Sequence, residues 1–325
     1  MNRLILITLF CAPMGVMAQS QALITIGGDR GIELGVVRDV GSWSRRLVIL
    51  DKNAPHLRVV DETGRLRQTT GRSGSGPGEF AVPVALSFDS STNSVFVVDQ
   101  ANARVTAYVL DDTLRLSKTI PTSVVNLRDL CVLRGRYFGN SGSRTQLLDE
   151  LELSEGRLVP RRPLGKPQSG HPLAAHPLVV GRSSEGPLLC DGSGFIWVAS
   201  RYLGEVHRVS LDGETQETVM VRDFHGIQLT AGSGGSLTFS APDGWYEEVS
   251  ALLPLREGVR VVVTRFARDG SVSGYQFVDV TSDLKSQTPR IAANWIEIAA
   301  TSRGVVCVLN DPMPTVTVFS GTRCP

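Results

Sequence analysis

The sequence predicts an all-β chain folded as a six-bladed β-propeller of four-stranded antiparallel blades, its N-terminal strand closing the last blade. Three observations predict it. The apolar runs are short, rich in Val, Leu and Ile, and bounded by Gly, Asp, Asn and Ser, which is strand punctuation. A two-strand unit recurs at the spacing of propeller blades. An unclaimed strand opens the folded part, and the last repeat stops after its third strand.

The unit is plainest at Leu47-Val48-Ile49-Leu50-Asp51, followed by a five-residue loop, Leu57-Arg58-Val59-Val60-Asp61 and Gly64. It recurs at Val95–Asp99 with Val105–Val109, at Ile196–Ser200 with Val206–Val209, and at Val305–Asn310 with Val316–Phe319. Each is an apolar strand ending in a small polar residue, a turn, and an antiparallel partner. Asp, Asn and Ser suit that strand end because their side chains hydrogen-bond turn backbone. Two weaker units fill the long gaps. One is Tyr137-Phe138-Gly139-Asn140 with Leu147-Leu148, and the other is Val259–Phe266 with Asp269-Gly270. That makes six. Leu23–Gly27 matches the outer strand Leu66–Gly71 and is expected to complete the sixth blade, which removes the loose ends of the ring.

Met1–Ala18 has the layout of a secretory signal peptide: Arg3, a short apolar run from Leu4 to Phe10, and Val16-Met17-Ala18 before the expected cut. The run is too short to span a bilayer, and no later segment is apolar enough to anchor the chain. The mature part, Gln19–Pro325, is therefore expected in the periplasm or outside the cell, without a membrane span. Of 33 basic and 32 acidic residues, cleavage removes Arg3 alone, so the mature net charge is zero. That argues against a nucleic-acid partner, which needs a cationic surface. One local basic cluster exists at Arg157, Arg161, Arg162 and Lys166. Cys131, Cys190, Cys307 and Cys324 remain after cleavage and allow three full pairings. Cys307 with Cys324 is the favoured pair, since both lie in the last repeat. No CxxC spacing marks a zinc knuckle or redox motif.

Gly71 to Tyr108 resembles an NHL repeat. The carriers are Gly76-Pro77-Gly78-Glu79-Phe80, Pro83, Val98-Asp99 and Asn102-Ala103-Arg104-Val105. The likeness is specific here, moderate over the first and fourth repeats, and weak elsewhere. As a whole the chain resembles six-bladed NHL-type propellers exported by bacteria. The Gly-rich stretch Gly71–Gly78 is not read as a phosphate loop, because a strand follows it where a helix N-terminus is needed.

In a propeller, the loops joining second and third strands share one face with the connections between blades. Here that face would carry Lys52, Asn53, His56, Gln100, Asn102, Arg104, Arg144, Arg201, Tyr202, Glu205 and Asp311. Such a polar set suits a protein, peptide or glycan. It also suits ordinary turns, with Arg104 bonding neighbouring loops. His171 and His176 recur in a Pro-rich insert from Pro160 to Pro187, as a shared metal site, a lid or a plain long crossing. Trp245-Tyr246-Glu247-Glu248 places two aromatics and two acids in a turn, an arrangement that binds sugars or cations and also anchors hairpins.

Two enzyme families use similar propellers. Calcium-dependent lactonases hold metal with Glu, Asn and Asp in the channel, and peptide-amidating lyases hold zinc with His, beside an Arg and a Tyr. Only His56 and His225 of the five histidines are expected to reach the ligand face, and Asp129 and Glu297 to approach the channel. Neither ligand set is complete. The leading expectation is a monomeric, non-catalytic binding propeller with no cofactor. A metal-dependent hydrolase or lyase using calcium or zinc is the alternative. A structural module of the cell envelope is the third.

Overall fold

The computed structural model describes residues 22–28, 32–43, 45–143, 145–167, 184–232, 236–241, 243–284, 287–288, 291–293, 296–301, 304–309 and 314–320. The signal-like segment, the paired histidines of the insert, Arg144, Asp311 and Cys324 lie outside them. Strand β1 (Ala22–Gly27) comes first. Blade 1 is β2 (Val37–Trp43), β3 (Arg46–Asp51), β4 (Leu57–Asp61) and β5 (Leu66–Thr70). Blade 2 is β6 (Pro83–Asp89), β7 (Ser94–Asp99), β8 (Arg104–Leu110) and β9 (Leu114–Pro121). Blade 3 is β10 (Asp129–Leu133), β11 (Arg136–Asn140), β12 (Leu148–Ser154) and β13 (Arg157–Leu164). Blade 4 is β14 (Leu188–Cys190), β15 (Phe195–Ala199), β16 (Glu205–Ser210) and β17 (Gln216–Met220).

A separate hairpin, β18 (Gln228–Ala231) with β19 (Leu237–Ser240), intervenes before blade 5. Blade 5 is β20 (Trp245–Leu255), β21 (Gly258–Ala267), β22 (Val272–Thr281) and β23 (Ile291–Ala293). Blade 6 is β24 (Ile296–Thr301), β25 (Gly304–Leu309) and β26 (Thr315–Phe319), completed by β1 in the order β1-β26-β25-β24. Each blade is a four-stranded antiparallel sheet, and each innermost strand touches the next around the ring. The fold class and the N-terminal closure are therefore as the sequence predicts.

The core is divided among the interfaces between blades. Leu47 and Ile49 of β3 pack toward blade 6, while Val48 and Leu50 pack toward blade 2. In β15, Ile196 and Val198 face blade 3, and Trp197 and Ala199 face blade 5. Side chains alternate across a strand, so a strand buried on both faces reads as an unbroken apolar run. Burying each such side chain contributes about 1.5–3 kcal/mol. A disulfide joins Cys131 of β10 to Cys190 of β14, with Cα atoms 5.8 Å apart. Cys307 is also disulfide-bonded.

Two local expectations need correction. Trp245–Glu248 form no turn. They open β20, whose pairing with β21 runs from Trp245↔Ala267 and carries the sheet beyond the usual blade length. The Pro-rich stretch does not begin as a loop either, because Pro160 and Pro163 lie in β13. That strand is the outer edge of its blade, where a missing N–H need not break a ladder bond.

Candidate functional site

In blades 1 to 4 the polar residue closing the second strand is a latch. Asp51 accepts the N–H groups of Gly35 (2.7 Å) and Asn53 (2.9 Å) and pairs with Arg58 at 2.8 Å. Asp99 accepts the N–H of Val82 (2.9 Å) and Asn102 Nδ2 (2.6 Å). Asn140 Nδ2 donates to Gly186 O at 2.7 Å, and Ser200 Oγ accepts the Leu203 N–H at 3.3 Å. Three of these four latches tie a blade-entry connection down, and that of Ser200 acts within its own turn.

Several face residues are spent on this scaffold. His56 is 3% exposed, with Nδ1 at 3.0 Å from Asp51 O and its ring edge-on to Phe80. Arg104 is 8% exposed and donates to Ser75 O (2.6 Å), Gly76 O (3.1 Å) and Glu79 O (2.5 Å). Asn102 also donates to Gly74 O at 3.0 Å. Glu205 is buried beside His207, with 3.6 Å between Oε2 and Nε2, and burial pushes that imidazole down to about 4. Lys52 and Asn53 are exposed at the β3–β4 turn, and Gln100 is half-buried at the β7–β8 turn.

Arg201 and Tyr202 have a different setting. Both are half-buried in the β15–β16 turn at the mouth of the channel. The elongated β20 brings Glu248 to 3.9 Å from Arg201. It also brings Tyr246, whose hydroxyl is pushed up by burial, by Glu248 and by Tyr202. Tyr246 stacks on Phe266 with ring centroids 5.3 Å apart. Behind it, Trp245 lies between His225 (4.6 Å) and the Arg265 guanidinium (4.1 Å). The blade 3 side supplies Arg128, 3.5 Å from Glu185, and the Arg201 N–H donates to Glu185 O at 2.6 Å. A chain of contacts thus links charged and aromatic groups of blades 3, 4 and 5.

Two carboxylates line the channel below. Asp39 is the third residue of inner strand β2, and Asp129 is the first of β10. Asp39 accepts the N–H groups of Val40 (2.8 Å) and Leu86 (2.7 Å). Asp129 accepts those of Leu130 (2.7 Å) and Leu188 (2.8 Å). Each therefore bridges its own strand to the next blade. Burial pushes Asp39 up to about 6 and Asp129 up to about 7, against the lowering effect of those N–H bonds. Some of each side chain reaches channel water, but the walls withhold bulk solvent, so the charged form stays poorly hydrated. Asp39 raises Asp129 further, and Arg201 lowers it. Because blades 1 and 3 are not neighbours, that coupling acts across the channel. Asp39→Asn is expected to lower the Asp129 titration midpoint, since one like charge disappears. Side-chain carboxyl ¹³C titration reads it, and an unchanged midpoint would mean the two do not interact.

Sequence reasoning missed Asp39, Arg128 and Glu185 as site residues. A signal existed: Val37-Arg38-Asp39-Val40 and Leu127-Arg128-Asp129-Leu130 repeat one pattern at two blade entries. No group of three or more His, Cys, Asp or Glu among the described residues is arranged to hold a metal ion. The donors among the described residues do not assemble the calcium or zinc sets of the alternative reading.

The family model DUF5128, 6-bladed beta-propeller, matches residues 29–140. No curated protein matches significantly. Among solved structures, a candidate exported protein from Bacteroides fragilis is 12% identical, with 94% of this chain and 95% of that chain covered and a TM-score of 0.58. The WD40 repeats of RRP9 are 11% identical, covering 93% and 100% at 0.57. A catalytically inactive virginiamycin B lyase from Staphylococcus aureus with quinupristin is 8% identical, covering 90% and 98% at 0.52. At such identities these likenesses speak to fold alone, and with the six closed sheets they make the chain a six-bladed β-propeller.

Proposed function

We propose that this is an exported binding propeller that recognises a protein, peptide or glycan at the channel mouth over blades 3 to 5. One observation carries the reading: Arg201 and Tyr202 of blade 4 meet Tyr246 and Glu248 of blade 5 beside Arg128, Glu185 and Asp129. Half-buried phenols give contact area at low entropic cost, and flanking ions give direction. Export is supported by the signal-like Met1–Ala18 and by the disulfides, which persist in oxidising compartments. The resemblance of Gly76 to Val105 to an NHL repeat supports the same reading.

The test is to screen the purified mature chain on peptide and glycan arrays and repeat the hit with Tyr202→Ala/Glu248→Ala. Loss of a central aromatic and of the carboxylate that pairs with Arg201 is expected to weaken binding by about tenfold or more. Equal binding by the variant would move the site elsewhere. A second reading, acid–base chemistry of a hydrolase or lyase kind, is favoured by Asp129 alone. A carboxyl that titrates near 7 can give and take a proton at working pH. Conversion of an array hit during incubation would select that reading.

A further inference from the structure

We propose that the Cys131–Cys190 disulfide is the clip that keeps Asp129 sheltered from bulk water, and so links the ionisation of the channel mouth to thiol redox state. The inference rests on the mouth being the binding site. Its basis is the way blade 4 enters the ring. The entry segment is stitched to blade 3 by successive rungs: Glu185 to Arg128 (3.5 Å), Gly186 O to Asn140 (2.7 Å) and the Leu188 N–H to Asp129 (2.8 Å). The last rung is Cys190 to Cys131.

Asp129 and Cys131 are two apart on β10, so their side chains leave the same strand face, and they meet the Leu188 N–H and the Cys190 side chain, two apart on β14. Among the inner strands β14 is the shortest, at three residues, and only three residue pairs join it to β15. Its counterpart β6, which receives the bond from Asp39, has seven residues and six pairs. Asp39 therefore needs no covalent clip, whereas the wall beside Asp129 depends on one.

The chemistry of the seat gives the direction. Both Asp129 oxygens already accept backbone N–H groups, which favours the carboxylate. Restricted hydration opposes it, as does Asp39 across the channel; Arg201 acts the other way. Arg128 and Glu185 at the rim form a neighbouring ion pair. A dithiol reductant would break the S–S bond, leave a hydrogen on each sulfur and become a disulfide itself. With the rung gone, water enters between β10 and β14 and the carboxylate is hydrated.

The experiment is carboxyl ¹³C titration of the full mature chain from acid to alkaline pH. It compares the oxidised protein, Cys131→Ala/Cys190→Ala, and Cys307→Ala as the control that breaks a different disulfide. The expected result is a fall of about one unit or more in the Asp129 midpoint in the double variant alone, with no fall at Asp39. An unchanged or raised Asp129 midpoint overturns the inference, as does an equal fall in Cys307→Ala. If the double variant does not fold, native Cys307→Ala treated with a dithiol supplies the same comparison. Ligand is not needed, so the two claims fail separately. A fixed midpoint with intact Tyr202-dependent binding sinks the clip, and a shifted midpoint with Tyr202-independent binding sinks the binding site.

Discussion

Arg104→Ala is expected to lower the unfolding free energy by about 3–5 kcal/mol, the loss typical of breaking a buried ion pair from one side. The guanidinium sits 3.5 Å from Asp99 and holds three carbonyls of the connection between blades 1 and 2. Removing it leaves Asp99 fully buried without its cation and takes the guanidinium donor from the Ser75 and Glu79 carbonyls, while Gly76 O keeps the Glu79 N–H. Asp99 retains the N–H groups of Ala81 and Val82 and the amide of Asn102, which limits the loss. Arg104→Lys keeps the charge, but one ammonium cannot span three carbonyls, so about half the loss is expected. Urea unfolding of the three proteins reads both values. A loss under about 0.5 kcal/mol for Arg104→Ala would mean that the loop is held mainly by Arg72 and Glu79, which pair at 2.6 Å.

The same residue shows what was legible in the sequence. Runs such as Leu47–Leu50 and Val95–Val98 announce strands buried on both faces, because only that environment wants every side chain apolar. The strand-end Asp, Asn and Ser announce turns, and Asp51, Asp99, Asn140 and Ser200 each have a backbone partner. Polarity at a turn does not reveal which way a side chain faces. Lys52 and Arg104 look alike as a sequence, yet one is exposed and the other is spent on carbonyls. The channel pair was harder still. Asp39 and Asp129 are coupled only because the ring brings blades 1 and 3 across from each other, and no local pattern encodes that distance. The aromatic half of the mouth depends on the length of β20, where Trp-Tyr-Glu-Glu at 245–248 has no alternation to mark a strand.

Gly186→Ala is the second large effect expected, and it bears on the mouth directly. Gly186 has φ +155°, and a Cβ there would lie 1.9 Å from Ala199 O and 2.9 Å from the Arg201 nitrogen. Both are backbone atoms, so no side-chain rotation relieves the overlap. Strain of about 1–3 kcal/mol from the dihedral alone adds to the displacement of that backbone. We expect a loss of about 3 kcal/mol, read as a fall in Tm of about 6–12 °C. The displaced segment carries the Glu185 carbonyl that accepts the Arg201 N–H and the Gly186 carbonyl that accepts Asn140. Binding at the mouth should therefore fall along with stability. Gly135→Ala is the control, since Gly135 has φ +76° but nothing within 4 Å of its added Cβ. Its dihedral strain is local, and both Tm and binding should change far less. If the two variants were equally stable, the blade 4 entry could shift freely. The fixed meeting of Arg201, Glu185 and Asp129 would then lose its physical basis.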